Sequence, residues 1–237
     1  MELLKDEFNW TPTEYGIFNM AYGWLNVFLF MLIFSGMILD KLGARITGIG
    51  ACLLMIIGCG LKYYAVSQPF DGEIFGLRTQ VFIACIGFAI FALGIESAGI
   101  TVTKVIARWF KGHEMALAMG IQVAVARLGT ALAMSTTIPL AKHFNSLSAP
   151  ILLGLGALCI GLIAYLVFCV MDRRLDASVS EQEKEKEEPF RLKDIRFIIT
   201  NKGFWLIAML CVLFYSAVFP FLKYATSLMI NKYNVAP

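Results

Sequence analysis

Two ionisable side chains of opposite sign lie inside long apolar stretches of this sequence. Glu96 occurs in GFAIFALGIESAGITVTKVIARWF, 18 residues after Arg78 and 12 before Arg108. Arg127 occurs in HEMALAMGIQVAVARLGTALAM, 13 residues after Glu114. A guanidinium can hold a carboxylate through two parallel hydrogen bonds, and a carboxylate can hold an ammonium. The pair is therefore a candidate binding site for a small zwitterionic solute.

The composition identifies the elements that carry these two residues as membrane spans. Hydrophobic residues make up 59% of the 237 and charged residues 16%, with a mean hydropathy of +0.73. A soluble domain has about a quarter of its residues charged, and a membrane-spanning helix needs about 20 predominantly apolar residues. Six runs meet that length, at residues 17–39, 46–66, 79–103, 115–141, 148–171 and 203–222. The predicted fold class is an all-α, multi-pass membrane protein.

The same residues predict neither a metal or cofactor site nor an enzyme. All six cysteines fall inside the apolar runs, where they are expected to be small buried hydrophobic residues. His113 and His143 fall in loops on opposite sides of a bilayer about 30 Å thick, so they cannot share a site. No motif of a metalloprotease or serine hydrolase occurs. The expected partners are the lipid bilayer and a small-molecule substrate, with no nucleic acid.

The basic residues between the runs predict the orientation. The gaps on one side hold thirteen Lys and Arg residues and those on the other side hold six, with Arg127 left out as mid-span. Basic loops favour the cytoplasm. The gaps around Lys41–Arg45, Lys104–Lys111 and Arg173–Lys202 are then cytoplasmic, and both ends of the chain lie on the outer side. Which membrane this is stays open.

The first cytoplasmic gap contains a charged glycine motif in SGMILDKLGARITG. Gly36 is expected to let two helices approach closely, Gly43 to take a positive φ, and Asp40 to pair with a basic group or cap a helix. An ordinary short charged loop is the alternative. The pattern resembles the G-x-x-x-D-[RK]-x-G-x-[RK] signature of the major facilitator superfamily, carried here by Gly36, Asp40, Lys41, Gly43 and Arg45. The resemblance implies a cytoplasmic latch whose pairing changes between transport states.

In that superfamily the motif follows the second of twelve helices, so the six runs resemble helices two to seven. The polar tract SEQEKEKEEP and the amphipathic segment FRLKDIRFIITNKGFW then correspond to the charged loop between helices six and seven. We expect an incomplete N-terminal bundle over residues 1–172, a cytoplasmic linker over 173–202 and the first helix of a C-terminal bundle over 203–237. The missing helices of a full-length transporter are expected partners, and the chain alone is not expected to transport. A complete six-helix protein is the alternative.

A narrower resemblance concerns the two charged residues. The stretch GIESAGITVTKVIARWFKGHEMALAMGIQVAVARLGTALAM is similar to helices four and five of the lysosomal dipeptide transporter branch, and CVLFYSAVFPFLKYATSLMINKY to its helix seven. This implies dipeptide transport with Glu96 and Arg127 in the substrate site. Independently, 12 and 13 residues from the cytoplasmic ends of their helices place both about 18–20 Å deep at 1.5 Å per residue. Opposite charges at equal depth on consecutive antiparallel helices can meet.

Other interpretations stay open at this point. Asn26 and Tyr215 are weaker candidates for substrate binding, because either is equally suited to helix packing. Glu96 and Arg127 can also be a structural ion pair in a transporter of another organic anion or a sugar. Transport can be facilitative or coupled to protons. A receptor or scaffold that does not transport is a further alternative.

Overall fold

Helices make up most of the chain that the structure, a computed structural model, describes, namely residues 8–28, 30–68, 70–110, 114–144, 146, 148–178 and 200–233. The α-helices of this part are α1 (Pro12–Gly23), α2 (Met31–Ser67), α3 (Thr79–Trp109), α4 (Met115–Phe144), α5 (Ser148–Ser178) and α6 (Lys202–Tyr233). A π turn, Trp24–Phe28, follows α1, and a hairpin of β1 (Glu73–Ile74) and β2 (Leu77–Arg78) precedes α3. The predicted all-α fold class is confirmed.

In the part of the chain that the structure describes, five helical segments are long and apolar enough to cross a membrane: Met31–Ser67, Thr79–Trp109, Met115–Phe144, Ser148–Arg174 and Lys202–Leu222. They contain five of the six predicted runs. The run at 17–39 is built differently, because the π turn follows Gly23 and Phe30 takes a left-handed φ of +50° before α2 begins. α2 then continues to Ser67 through a bend at Gly43. Apolar composition does not reveal such breaks, because apolar residues are compatible with the α-helix, the π turn and the left-handed conformation.

The start of α1 is determined by local hydrogen bonds. Thr11 caps the helix by accepting from the Glu14 backbone N–H at 3.2 Å, and the Glu14 carboxylate accepts from the Thr11 backbone N–H at 2.8 Å. Pro12 occupies the first turn, where its missing N–H costs nothing. This reciprocal capping box is readable in the sequence TPTE.

An ion pair joins α1 to the hairpin before α3. Arg78 donates to both oxygens of Glu14, from Nε at 2.6 Å and from Nη2 at 2.7 Å. This bidentate hydrogen bond lowers the pKa of the Glu14 carboxyl from 4.5 to about 2, and it raises the pKa of Arg78. The hairpin turns at Phe75 and Gly76, both with positive φ, as a type I′ turn requires.

The backbones of α2 and α3 pack closely against each other. A Cβ added at Gly58 would lie 2.5 Å from the backbone nitrogen of Phe91, and one at Gly87 would lie 2.9 Å from the carbonyl oxygen of Gly58. The two backbones therefore approach each other without side chains between them. The buried Ser35 hydroxyl donates to Ser97 at 2.8 Å farther along the same contact.

The chain divides into two compact units, one of residues 10–187 and the other of residues 1–9 with 188–237. The first unit contains α1 to α5, and α5 docks on α2 where the Tyr165 hydroxyl donates to the Ala44 carbonyl at 2.8 Å. The second unit is represented by α6. Most of the expected linker, including its amphipathic segment, lies at residues 179–199, outside the described residues.

Candidate functional site

Glu96 lies half-buried near the middle of α3, and its carboxylate is held from another helix. The Tyr22 hydroxyl, on the last turn of α1, donates a short hydrogen bond to Glu96 Oε1. In the described part of the chain no other hydrogen bond or ion pair to this carboxylate occurs. One carboxylate oxygen is thus engaged by the protein, and the other keeps its capacity to accept from a ligand.

The ring of Tyr22 is fixed by aromatic neighbours. Its centroid lies 5.6 Å from that of Phe88, two turns before Glu96 on α3, and Phe88 in turn stacks on Phe18 of α1 at 4.7 Å. Offset and tilted ring contacts of this kind add to the burial of the apolar faces. The α1–α3 contact therefore aims the Tyr22 hydroxyl along α3 towards the carboxylate.

A groove of about 580 Å³ runs along α2 and α3 with Glu96 in its wall. Its other charged groups are Asp40 and Lys104, whose carboxylate and ammonium form an ion pair at 2.9 Å. The remaining lining is apolar or small: Gly36, Leu39, Gly99, Ile100, Thr103 and Ala107. A concave apolar surface with few charged groups is the usual form of a small-molecule site.

The structure does not join Arg127 to Glu96. Arg127 is exposed on α4, and within the described chain it forms no ion pair or side-chain hydrogen bond. The physical reason is twofold: Glu96 is engaged by Tyr22, and α4 contributes a single buried residue, Ala141, near its far end. The middle of α4 is therefore not packed into the core. A direct contact, which equal depth allows, is absent from this conformation, and the role of each residue in binding stays a prediction.

Asn26 lies in the π turn and is buried, with 7% of its surface exposed. Its amide nitrogen donates to the Tyr22 carbonyl at 3.4 Å, but its Oδ1 has no hydrogen-bond partner among the described residues. An acceptor buried without a donor costs about 1–3 kcal/mol. π turns are often found at functional sites. Asn26 thus stays a candidate for ligand binding.

Tyr215 belongs to the other unit, where it stacks on Phe219 at 5.1 Å and is half exposed. α6 is continuous through Pro220.

Among the described residues, the charged motif makes two separate ion pairs. Besides the contact of Asp40 with Lys104, Arg45 Nε donates to Asp172 Oδ2 at 2.6 Å. Gly43, between them, has a φ of +80°, which confirms that it takes the left-handed region. Lys41 is exposed. Gly36 does not mediate a close helix approach, because nothing lies within 4 Å of a Cβ added there, and the expectation for Gly36 was wrong in that respect.

Asp172 is the shared partner of several side chains near the charged motif, and it was not among the residues predicted from the sequence. Only 3% of its surface is exposed, and it also accepts from Trp109 Nε1 at 3.1 Å and lies 3.7 Å from Arg108 Nη1. It joins α2, α3 and α5. The sequence contained an indication of it, since Asp172 is the first charged residue after the apolar run at 148–171. Tyr22 had no comparable signal, because a tyrosine in an apolar run is ordinary.

Comparison with known proteins identifies the family. The family model described as Major Facilitator Superfamily matches residues 1–236. A protein named lysosomal dipeptide transporter MFSD1 from Danio rerio is 25% identical over 226 residues, which are 91% of this chain and 46% of that protein. Its namesake from Homo sapiens is 27% identical over 232 residues, covering 92% and 46%. The one from Gallus gallus is 29% identical over 159 residues, covering 63% and 35%.

The chain spans about half the length of the curated relatives it matches. No solved structure matches it significantly. The resemblance to the dipeptide transporter branch is confirmed at the level of sequence similarity. Because the family model covers nearly all of its residues, and five of its helices are long and apolar enough to cross a membrane, this multi-pass integral membrane chain belongs to the Major Facilitator Superfamily.

Proposed function

We propose that this chain forms part of a transporter for small zwitterionic solutes, dipeptides foremost, that works by alternating access. The observation that carries the proposal is Glu96, a carboxylate within an apolar helix that lines an open groove. A charge at the centre of a bilayer costs at least about 2.5–3.5 kcal/mol on insertion scales, so such residues usually mark substrate or ion pathways. An enzymatic role is not proposed.

The state of the two opposite charges supports a ligand over a structural ion pair. Glu96 and Arg127 are at equal depth by residue count, yet Arg127 forms no ion pair within the described residues. A dipeptide carries an ammonium and a carboxylate separated by at most about 7 Å of extended chain. It could therefore bridge two charged residues that do not touch. Arg127 would hold its carboxylate through two hydrogen bonds and Glu96 its ammonium, whereas a sugar would need neither charge.

The unsatisfied amide of Asn26 is a second reason to expect a ligand. Its Oδ1 is a buried acceptor in the turn after Tyr22, the residue that holds Glu96. A donor group of a solute would remove the cost of that acceptor. We propose Tyr215 as a weaker candidate for contact with the solute.

The names of the relatives favour dipeptides among zwitterions. The similar proteins of Danio rerio and Homo sapiens are named as lysosomal dipeptide transporters. The identity is 25–27% over about half of the relatives' length. The similarity therefore supports a substrate class but does not indicate which side chains of a dipeptide are preferred. Substrate would bind near the midplane between two helical bundles that rock against each other.

The cytoplasmic ion pairs are proposed to form the latch of that motion. Asp40 with Lys104 and Arg45 with Asp172 tie the start and middle of α2 to α3 and α5. Gly43 provides the bend between the two pairs. We propose that their pairing changes when the bundles rock, because exposed ion pairs such as the first contribute only about 0–1 kcal/mol and exchange readily.

Ligand-dependent thermal unfolding tests the proposal. The protein is purified at its full natural length in detergent and heated with dipeptides, free amino acids or sugars. Ligand at 100 times its Kd stabilises the folded state by about 2.7 kcal/mol. We expect dipeptides to raise the melting temperature of the wild type and to have no effect on Glu96→Gln and Arg127→Ala. Glu73→Gln, on the exposed hairpin, and Lys142→Ala, at the end of α4, are matched controls that should retain the shift.

The alternatives give different results in the same assay. A shift with sugars or other organic anions that both site variants retain would support a transporter with another solute. Binding without saturable uptake into vesicles would support a receptor or scaffold. The absence of any dipeptide shift in the wild type would refute the proposed substrate class.

A further inference from the structure

The Tyr22 hydroxyl and the Glu96 carboxylate form a side-chain contact between α1 and α3. Tyr22 and Glu96 are 74 residues apart in sequence, and the hydroxyl of one donates to the carboxylate of the other. Tyr22 is the penultimate residue of α1, and only Gly23 separates it from the π turn. The contact therefore fixes the position of the Glu96 carboxylate relative to α1, the helix that ends where the π turn begins.

The surroundings of Tyr22 make this a directed contact. Its ring lies between α1 and Phe88, and Phe88 is held by Phe18. A tyrosine held in this way has few rotamers left, so its hydroxyl stays where the carboxylate can accept from it. A glutamate side chain that is free to rotate loses considerable rotamer entropy when a ligand orders it. The Tyr22 bond orders one end of Glu96 before a ligand arrives, which favours tight binding.

The chemistry left exposed to a ligand is that of acceptors. Tyr22 engages Oε1, so Oε2 of Glu96 keeps its lone pairs. A group that donates several hydrogen bonds and carries a positive charge complements such a site. A primary ammonium has three N–H donors, whereas an acylated amino group is neutral and has one.

We propose that Tyr22 is a positioning residue that holds Glu96 for the solute's amino group and so makes a free amino terminus a requirement for tight binding. This inference rests on the proposed function, since it assigns a role within the same site. It names the solute class more narrowly: peptides with a free α-amino group bind, and their N-acylated forms are discriminated against.

Binding of alanylalanine and N-acetyl-alanylalanine tests the inference. Both are titrated by calorimetry into the detergent-purified protein at its full natural length, as wild type, Tyr22→Phe, Glu96→Gln and the double variant. Tyr22→Phe keeps the ring that packs on Phe88, and an unchanged melting temperature without ligand checks that the variant folds. Tyr64→Phe is the matched control, because it removes a hydroxyl from an exposed tyrosine on α2.

We expect wild type to prefer the free amine, and Tyr22→Phe to raise the Kd of alanylalanine about tenfold while the Kd of the acetylated form stays constant. In the Glu96→Gln background, Tyr22→Phe should cause no further loss, because the hydroxyl acts through the carboxylate. Tyr64→Phe should behave as wild type.

Other outcomes overturn the inference in distinguishable ways. If wild type binds neither peptide, the proposed function fails and the inference fails with it. If wild type binds alanylalanine but Tyr22→Phe binds it equally well, or loses both peptides equally, the proposed function stands and the positioning role is refuted. Additive losses in the double variant would also refute it.

Discussion

Replacing Gly58 by alanine should force α2 and α3 apart. A Cβ at this position would lie 2.5 Å from the Phe91 nitrogen, 2.6 Å from the Gly87 carbonyl oxygen and 2.8 Å from the Phe91 Cα. All three are backbone atoms, so no side-chain rotation relieves the contacts. Restoring an ordinary separation takes a shift of about 0.9 Å, the difference between 3.4 and 2.5 Å. The change must be absorbed by the whole helix pair.

The net cost follows from two opposing contributions. Overpacking of a close contact costs about 1–3 kcal/mol, and alanine regains about 0.5–1 kcal/mol over glycine within a helix. The expected loss is therefore about 0.5–2 kcal/mol. At about 2–4 °C per kcal/mol for a chain of this size, the melting temperature should fall by roughly 1–8 °C.

Thermal unfolding in detergent measures this loss, with Gly60→Ala as the matched control. Gly60 lies on the same helix, and nothing is within 4 Å of a Cβ added there, so its variant should melt at or above the wild-type temperature. The reasoning would be refuted if Gly58→Ala melted at the same temperature as Gly60→Ala or above it, since the close approach of the two backbones would then not be present in solution.

Two further predictions concern the ends of the bundle. The pKa of Glu14 is about 2 when folded and 4.5 as its ordinary value, so the Arg78 pair should add stability above about pH 5 and lose it as the pH falls towards 2. Because Arg78 is 35% exposed, solvent screens the pair and we expect about 1 kcal/mol. This should appear as a melting difference between wild type and Glu14→Gln that shrinks on acidification, and a difference independent of pH would contradict it. Asp172→Asn should lower the melting temperature by several degrees, because Arg45 loses its buried anionic partner and faces an amide in its place. A melting temperature within 1 °C of wild type would contradict this, since an amide would then serve Arg45 as well as the carboxylate does.

The contacts around Glu96 change how its charge is understood. With its carboxylate held by Tyr22 and not by Arg127, Glu96 already has a partner inside the protein before any solute binds. A solute ammonium would add to that hydrogen bond at the second carboxylate oxygen. This arrangement makes the hydroxyl of α1 part of the proposed site, although the sequence analysis named no residue of α1 itself.

The properties that depend on composition and local chain were readable from the sequence. The apolar runs predicted the helices from residue 46 to 222, since a bilayer demands about 20 apolar residues wherever the chain crosses it. The capping residues Thr11 and Glu14 and the positive φ of Gly43 depend on neighbours within a few positions. Motif resemblance identified the superfamily because that signature combines several residue types at constant spacing.

Only the tertiary structure decided which side chains meet. Equal depth on consecutive helices suggested that Glu96 could meet Arg127, but depth says nothing about the direction in which each helix face points. Tyr22 reaches Glu96 from 74 residues away, and Asp172 joins Arg45 and Trp109 from a third helix. Such pairs depend on how the helices rotate about their axes, which is determined by glycine contacts such as Gly58 on Phe91. Apolar side chains fit many of these rotations equally well, so the sequence pattern alone does not select one.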